Sequence, residues 1–218
     1  MNKTSRAILL GMLLGDGCLK TKHHKNSTYY EFVICHSQKQ EDYLDHKLKV
    51  FHSLMGGKVP NKSYENIKNK YFSVRFSRCD KVFSVLHKYL YSKNNKKFFT
   101  QRVLSYLNEQ SIAFWYMDDG CLTINPSKKS FEMRLYTYFS EEEADNCLEY
   151  FINTWGISPK KRKYNKTGQF NLVFNTTESR KFEDLIGKYI IPSMEYKLPS
   201  KSIPRVLGPT DIVGDDIV

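Results

Sequence analysis

LLGMLLGDG at residues 9–17 and IAFWYMDDG at residues 112–120 are one phrase written twice, and the fold follows from that repetition. Each is a nearly uncharged apolar stretch that ends in an acid followed by glycine. The terminal acids, Asp16 and Asp119, lie 103 positions apart, about half of the 218-residue chain. An apolar run closed by glycine reads as a helix reaching its C-terminal cap, where glycine takes the left-handed conformation cheaply. A helix C-terminus carries partial negative charge, so a carboxylate in its last turn is electrostatically misplaced. The same violation made twice points to function, because sequences break local rules mostly at functional sites. A duplicated apolar helix that delivers one carboxylate per copy implies a pseudo-twofold molecule with two acids at its centre. A divalent cation shared between them would relieve their repulsion.

The repeat extends outward from the phrase. After Asp16 come LKTKHH and YYEFVIC (29–35), and after Asp119 come CLTIN and FEMRLYTYF (131–139), each pair reading as a β-hairpin. Ser37 and Ser140 then sit as helix N-caps, the second within SEEE, a capping box. Their helices run through DYLDHKLKVFHSLMGG and EADNCLEYFINTWG. Second hairpins end in YFSVRFS (71–77) and QFNLVFN (169–175), where Phe72, Val74 and Phe76 alternate as Phe170, Leu172 and Phe174 do. Amphipathic helices DKVFSVLHKYLY and SRKFEDLIGKYI follow. Each half is α-β-β-α-β-β-α, an α+β protein with halves at 1–98 and 99–200, a linker helix over 99–111, and a poorly ordered extension at 201–218. Each half also ends in a lysine at a similar offset from its acid, Lys97 after 81 residues and Lys197 after 78.

Lysine and arginine number 34 against 23 aspartates and glutamates, a net charge of +11. With a pI near 9.3 and 14% aromatic residues, nucleic acid is the leading partner. Five cysteines, odd in number and without a CxxC pair, argue against a disulfide framework or a zinc site. They predict reduced thiols inside the cell, in cytoplasm or an organelle matrix. Six histidines form no HExxH or Cys/His cluster and read as surface or core residues. The start, MNKTSRAILLGMLLG, imitates a signal peptide, but no A-x-A-like cleavage site follows and the run ends in Asp16. A buried helix is expected there, with no signal peptide and no bilayer-spanning segment.

Taken together, the two phrases, NNKK (94–97) and IIPSMEYKLP (190–199) resemble the signature landmarks of single-chain LAGLIDADG homing endonucleases, over roughly residues 4–200. The resemblance implies two pseudo-symmetric αββαββα domains whose signature helices pack at a pseudodyad and whose curved antiparallel sheets form a DNA-binding saddle. It implies a monomer that makes a double-strand break with short 3′ overhangs in a long asymmetric site of double-stranded DNA, mobilising its own intron or reading frame. Asp16 and Asp119 carry over as ligands of catalytic metals, with the backbone carbonyls of Gly15 and Asp118, and Lys97 and Lys197 as the basic catalytic residues. The metal is normally Mg²⁺, with Mn²⁺ able to substitute and Ca²⁺ supporting binding without cleavage. The residues suit this chemistry: Mg²⁺ takes one or two carboxylates plus phosphate oxygens and keeps several waters.

Gly11 and Gly15 permit close helix approach, whereas their counterparts Phe114 and Asp118 do not, so packing at the pseudodyad is unequal. Asp119 is preferred to Asp118 as the ligand because it matches Asp16 and precedes Gly120; Phe114 and Trp115 read as core. Strand alternation nominates Lys20, Lys22, Arg75, Arg134, Lys161, Lys163 and Asn171 as DNA contacts. A register slip of one residue would exchange the two faces. The alternative reading on the same scaffold is an intron RNA maturase or a non-cleaving DNA-binding regulator. The presence of both acids and both lysines favours cutting.

Overall fold

The computed structural model describes residues 1–24, 27–67, 71–92, 96–126, 130–164 and 168–202. The C-terminal extension beyond residue 202, and Asn94 and Asn95 of the NNKK landmark, lie outside the described residues.

Helix α1 (Lys3–Leu14) starts where the Asn2 side chain accepts the Ser5 N–H at 2.7 Å, and its residues from Ala7 to Leu14 are all buried. A helix that is apolar all round has to be enclosed. It packs against a second such helix, α5 (Glu109–Asp119), in which residues 111–117 are likewise buried. Asn108 and Ser111 close a capping box that starts α5. The helix expected over 99–111 therefore shortens to α4 (Gln101–Leu104), because the chain must leave helical geometry for Asn108 to serve as the next N-cap.

The motif glycines do not act as left-handed caps. Among the described residues the positive-φ glycines are Gly56, Gly57, Gly156 and Gly168, and Gly120 is extended at φ −84° and ψ 150°. Their role is steric. A Cβ on Gly17 would strike the Met12 carbonyl, and one on Gly120 would strike Tyr116. Each helix thus turns straight into a strand through a gap that only glycine fits.

The first half continues with β1 (Cys18–His24), β2 (Ser27–Ser37), α2 (Glu41–Met55), β3 (Lys62–Ile67), β4 (Tyr71–Asp80) and α3 (Phe83–Leu90). The second half, after α5, has β5 (Gly120–Ile124), β6 (Phe131–Phe139), α6 (Glu141–Trp155), β7 (Lys160–Lys163), β8 (Phe170–Phe174) and α7 (Thr176–Ile186). Two antiparallel four-stranded sheets result, ordered β1-β2-β4-β3 and β5-β6-β8-β7. The αββαββα order is therefore present twice. Ser140 caps α6 through a capping box with Glu143, whereas Ser37 caps a single 3-10 turn ahead of α2.

One face of each sheet meets the helices: Phe32, Ile34, Val74 and Phe76 in the first, Met133, Leu135, Leu172 and Phe174 in the second, all fully buried. These side chains and those of α1 and α5 form one continuous apolar core across both halves. Edge strands β3 and β7 are tied down in the same way. Lys62 reaches Glu41 (2.5 Å) and Asp45 (2.8 Å) on α2, and Lys161 reaches Glu141 (3.0 Å) and Asp145 (2.7 Å) on α6. No helix among the described residues is long and apolar enough to cross a membrane.

Candidate active centre and nucleic-acid face

The close approach of α1 and α5 brings their C-terminal ends together. A Cβ on Gly11 would overlap the Ser111 backbone, and one on Gly15 the Asp118 carboxyl group. Asp16 and Asp119 emerge at this junction, each held by the second strand of its own sheet. The Asp16 Oδ2 lies 3.4 Å from His36 Nδ1, and the Asp119 Oδ2 accepts the Thr137 hydroxyl at 3.1 Å. His36 and Thr137 occupy equivalent places, two residues beyond the buried Ile34 and Leu135. Thr137 stands in an irregularity of β6 between Leu135 and Phe139, where Tyr138 has φ 54°. Such bulges re-aim side chains beside functional sites.

The two lysines also converge here in parallel. Lys97 donates to the Gly15 carbonyl at 2.7 Å. Lys197 donates to the Met117 carbonyl at 2.5 Å and lies 3.4 Å from that of Asp118. Burial lowers the pKa of both ammonium groups, against the pull of the nearby acids. The acids move the other way. Partial burial, then the Asp118 charge, raises the Asp16 carboxyl above its ordinary value although its side chain stays 46% exposed, and burial, then Asp118 and Asp16, pushes Asp119 up to about 7.

Asp118 differs from both. Its side chain is fully buried; Oδ1 accepts Lys47 Nζ at 2.5 Å and the Tyr43 hydroxyl at 2.8 Å, and Oδ2 accepts the Asp16 N–H at 3.0 Å. Asp16, His36 and Asp118 offer ligand atoms within 4.8 Å of one another, but the Asp118 oxygens are already committed. Neither Asp16 nor Asp119 contacts a lysine or arginine among the described residues. Two hard carboxylates without a direct lysine or arginine contact fit a divalent cation such as Mg²⁺, while the Gly15 and Asp118 carbonyls beside them receive Lys97 and Lys197 in this structure.

His36, Tyr43, Lys47 and Thr137 were not legible as site residues. His36, set aside with the other histidines, is 5% exposed and faces Asp16. Lys47 did leave a trace: it falls on the apolar stripe of Tyr43, Leu44 and Phe51 in α2, a position that has no business holding a solvated charge.

Sheet registers sort the proposed DNA contacts. Lys20, Lys22, Arg75, Arg134 and Asn171 lie on the face away from the helices. Lys161 and Lys163 do not. They pair with Leu172 and Phe170, which turns them to the helix side, and Lys161 is occupied by Glu141 and Asp145. This corrects the assignment of both lysines: the alternation within KKRK runs one residue out of step with it, so Lys160 and Arg162 share the open face. Asn171 is on that face but only 5% exposed. Acids interleave with the cations: Glu31 with Lys22 (3.1 Å), Glu65 with Arg75 (2.8 Å), and Glu132 with both Arg134 (2.6 Å) and Arg162 (2.9 Å).

Comparison with known proteins places this architecture. Residues 6–182 match the profile of the LAGLIDADG DNA endonuclease family. The "Probable intron-encoded endonuclease 1" of Wickerhamomyces canadensis is 30% identical over 208 residues, covering 91% of this chain and 85% of that protein. "Protein RecA" of Mycolicibacterium flavescens is 30% identical over 217 residues, 94% of this chain, and this chain spans about half of that relative's length (48%). Among solved structures, the homing endonuclease I-WcaI bound to its DNA recognition sequence superposes with a TM-score of 0.74 at 23% identity, covering 90% and 86% of the two chains. I-DmoI in complex with DNA and Mn superposes with a TM-score of 0.54 at 17% identity, covering 84% and 96%.

Proposed function

This chain belongs to the LAGLIDADG DNA endonuclease family, and we propose that it is a sequence-specific, divalent-metal-dependent homing endonuclease. The carrying observation is the pair of carboxylates at the α1–α5 junction, neither in direct contact with a lysine or arginine among the described residues, with Lys97 and Lys197 bonded to the adjoining backbone carbonyls and a strand-borne partner beside each acid. In this reading Asp16 and Asp119 hold Mg²⁺ or Mn²⁺, with the Gly15 and Asp118 carbonyls as further oxygen donors. A bound divalent cation supplies an acidified water and a counter-charge for the leaving oxygen.

The chain's own residues do the remainder. Lys97, half-buried, and Lys197, buried, both lowered in pKa, place proton donors and positive charge beside the two acids, where charge develops on the cleaved phosphate. Thr137 hydrogen-bonds the Asp119 Oδ2, and the His36 ring lies against the Asp16 Oδ2. Lys20, Lys22, Arg75, Arg134, Lys160 and Arg162 grip the backbone or read guanine edges, setting the register of a long asymmetric site. The product is a double-strand break with short 3′ overhangs that mobilises the host intron or reading frame. The enzyme acts as a monomer in a reducing compartment, its two halves serving the two strands.

The test is incubation with Mg²⁺ and duplex DNA spanning the uninterrupted insertion locus of its own gene. Cleavage of both strands is expected; Asp16→Asn and Asp119→Asn are expected to bind the same duplex in Ca²⁺ and leave it uncut. Full cutting by either variant overturns the assignment of the acids.

A further inference from the structure

Lys47 and Asp118 form an ion pair between the two halves with both side chains fully enclosed, and no second such pair relates the halves among the described residues. Their counterparts are different: Cys147 stands in α6 where Lys47 stands in α2, and Gly15 precedes Asp16 where Asp118 precedes Asp119. An ammonium group only donates, so Lys47 Nζ at 3.0 Å from His36 Nε2 leaves that nitrogen as the acceptor. The ring hydrogen is then on Nδ1, which points at Asp16 Oδ2. The same Asp118 also receives the Asp16 N–H and the Tyr43 hydroxyl. One network thus reaches Asp16 twice, through the backbone N–H that Asp118 accepts and through the His36 ring, which Lys47 orients and whose Nδ1 lies 3.4 Å from the Asp16 carboxylate. Asp119 has a different anchor, the neutral Thr137 hydroxyl, which itself receives the Trp115 Nε1–H at 3.1 Å.

From this geometry we infer that Lys47 is a positioning residue for the Asp16 centre alone, acting through His36, and that the Lys47–Asp118 pair makes the two strand-cleaving centres chemically unequal. The pair originates in both halves, Lys47 from α2 and Asp118 from α5, so one half's signature helix orients the other half's acid. Partners one step removed from a metal-binding group keep its orientation and basicity, and their loss commonly costs 10–100-fold in activity. Here that loss falls on one strand.

The inference rests on the endonuclease reading. Its test uses the full chain and an end-labelled duplex that the wild type selects from a random DNA pool, with the two strands' nicking rates measured separately in Mg²⁺. In Lys47→Met the ratio of the two rates is expected to shift by about tenfold or more, with nicked duplex accumulating. Because that variant strands a buried carboxylate, Lys47→Met/Asp118→Asn is made alongside it and is expected to show the same strand bias. Equal slowing of both strands, or no slowing, overturns the inference while the wild type still cuts. Loss of duplex binding in Ca²⁺ by the double variant also overturns it, since the pair is then a structural brace. Absence of cutting by the wild type strikes instead at the endonuclease reading.

Discussion

At the scale of single residues, the two acids are placed where folding would not place them. Asp119 is pushed up to about 7 by burial and by Asp118 and Asp16. A carboxyl raised in the folded state keeps its proton while the unfolded chain has lost it. The native state therefore holds more protons between about pH 4 and 7, and its stability falls as pH rises through that window. Asp119→Asn should melt close to the wild type at pH 4 and above it at pH 8, by roughly 1–2 kcal/mol or a few degrees in Tm. Thermal unfolding at both pH values checks this, and equal Tm at pH 8 contradicts it. The same titration predicts that cleavage weakens as pH falls below 7, and that raising Mg²⁺ shifts the midpoint to lower pH, because metal and proton compete for the carboxylate. The acids were legible because they break a helix-end rule twice. His36, Thr137 and Lys47 were not, because their roles come from long-range contacts: His36 meets Asp16 across a strand pairing, and Lys47 meets Asp118 across 71 positions.

At the scale of elements, α1 and α5 can deliver the acids only if their axes approach closely, and Gly11 carries that demand. Gly11→Ala would drive a methyl into the Ser111 backbone, which cannot rotate away. A loss of about 1–3 kcal/mol is expected from such overpacking, read as a lower Tm or denaturation midpoint. An unchanged midpoint would show that the helices can separate without cost. Periodicity showed the helix–hairpin order of both halves, since Phe72, Val74 and Phe76 repeat as Phe170, Leu172 and Phe174. What it could not show was which face of the four-residue strand β7 looks outward. Lys161 is spent on Glu141 and Asp145 as Lys62 is on Glu41 and Asp45. Lys161→Ala is accordingly expected to leave DNA affinity within about twofold, whereas Arg162→Ala should weaken it and reduce the salt slope by about 1. Parallel titrations against one duplex separate the two; equal effects would put Lys161 on the DNA.

At the scale of the whole molecule, the proposed function requires that the attraction of a +11 chain to any duplex does not erase its sequence preference, and in that reading the acids on the open faces matter. Glu132 holds Arg134 through Nε (3.0 Å) and Nη2 (2.6 Å) and Arg162 through both Nη atoms (3.1 and 2.9 Å), so one carboxylate orients two guanidinium groups. The pairs are partly exposed, and exposed ion pairs add little to stability. On the endonuclease reading their value would lie in recognition: a guanidinium already held by an acid gains less from a random phosphate, yet stays aimed for a bidentate contact with guanine. Glu132→Gln frees both arginines and adds one positive charge to the face. It should bind random duplex about 3–10-fold more tightly, with a salt slope steeper by about 1, while its preference for the wild type's selected site narrows. Titrations of both duplexes between 50 and 200 mM salt measure all three quantities. If tighter random binding comes with an unchanged preference, Glu132 only tempers charge; if neither changes, the two arginines do not face the DNA.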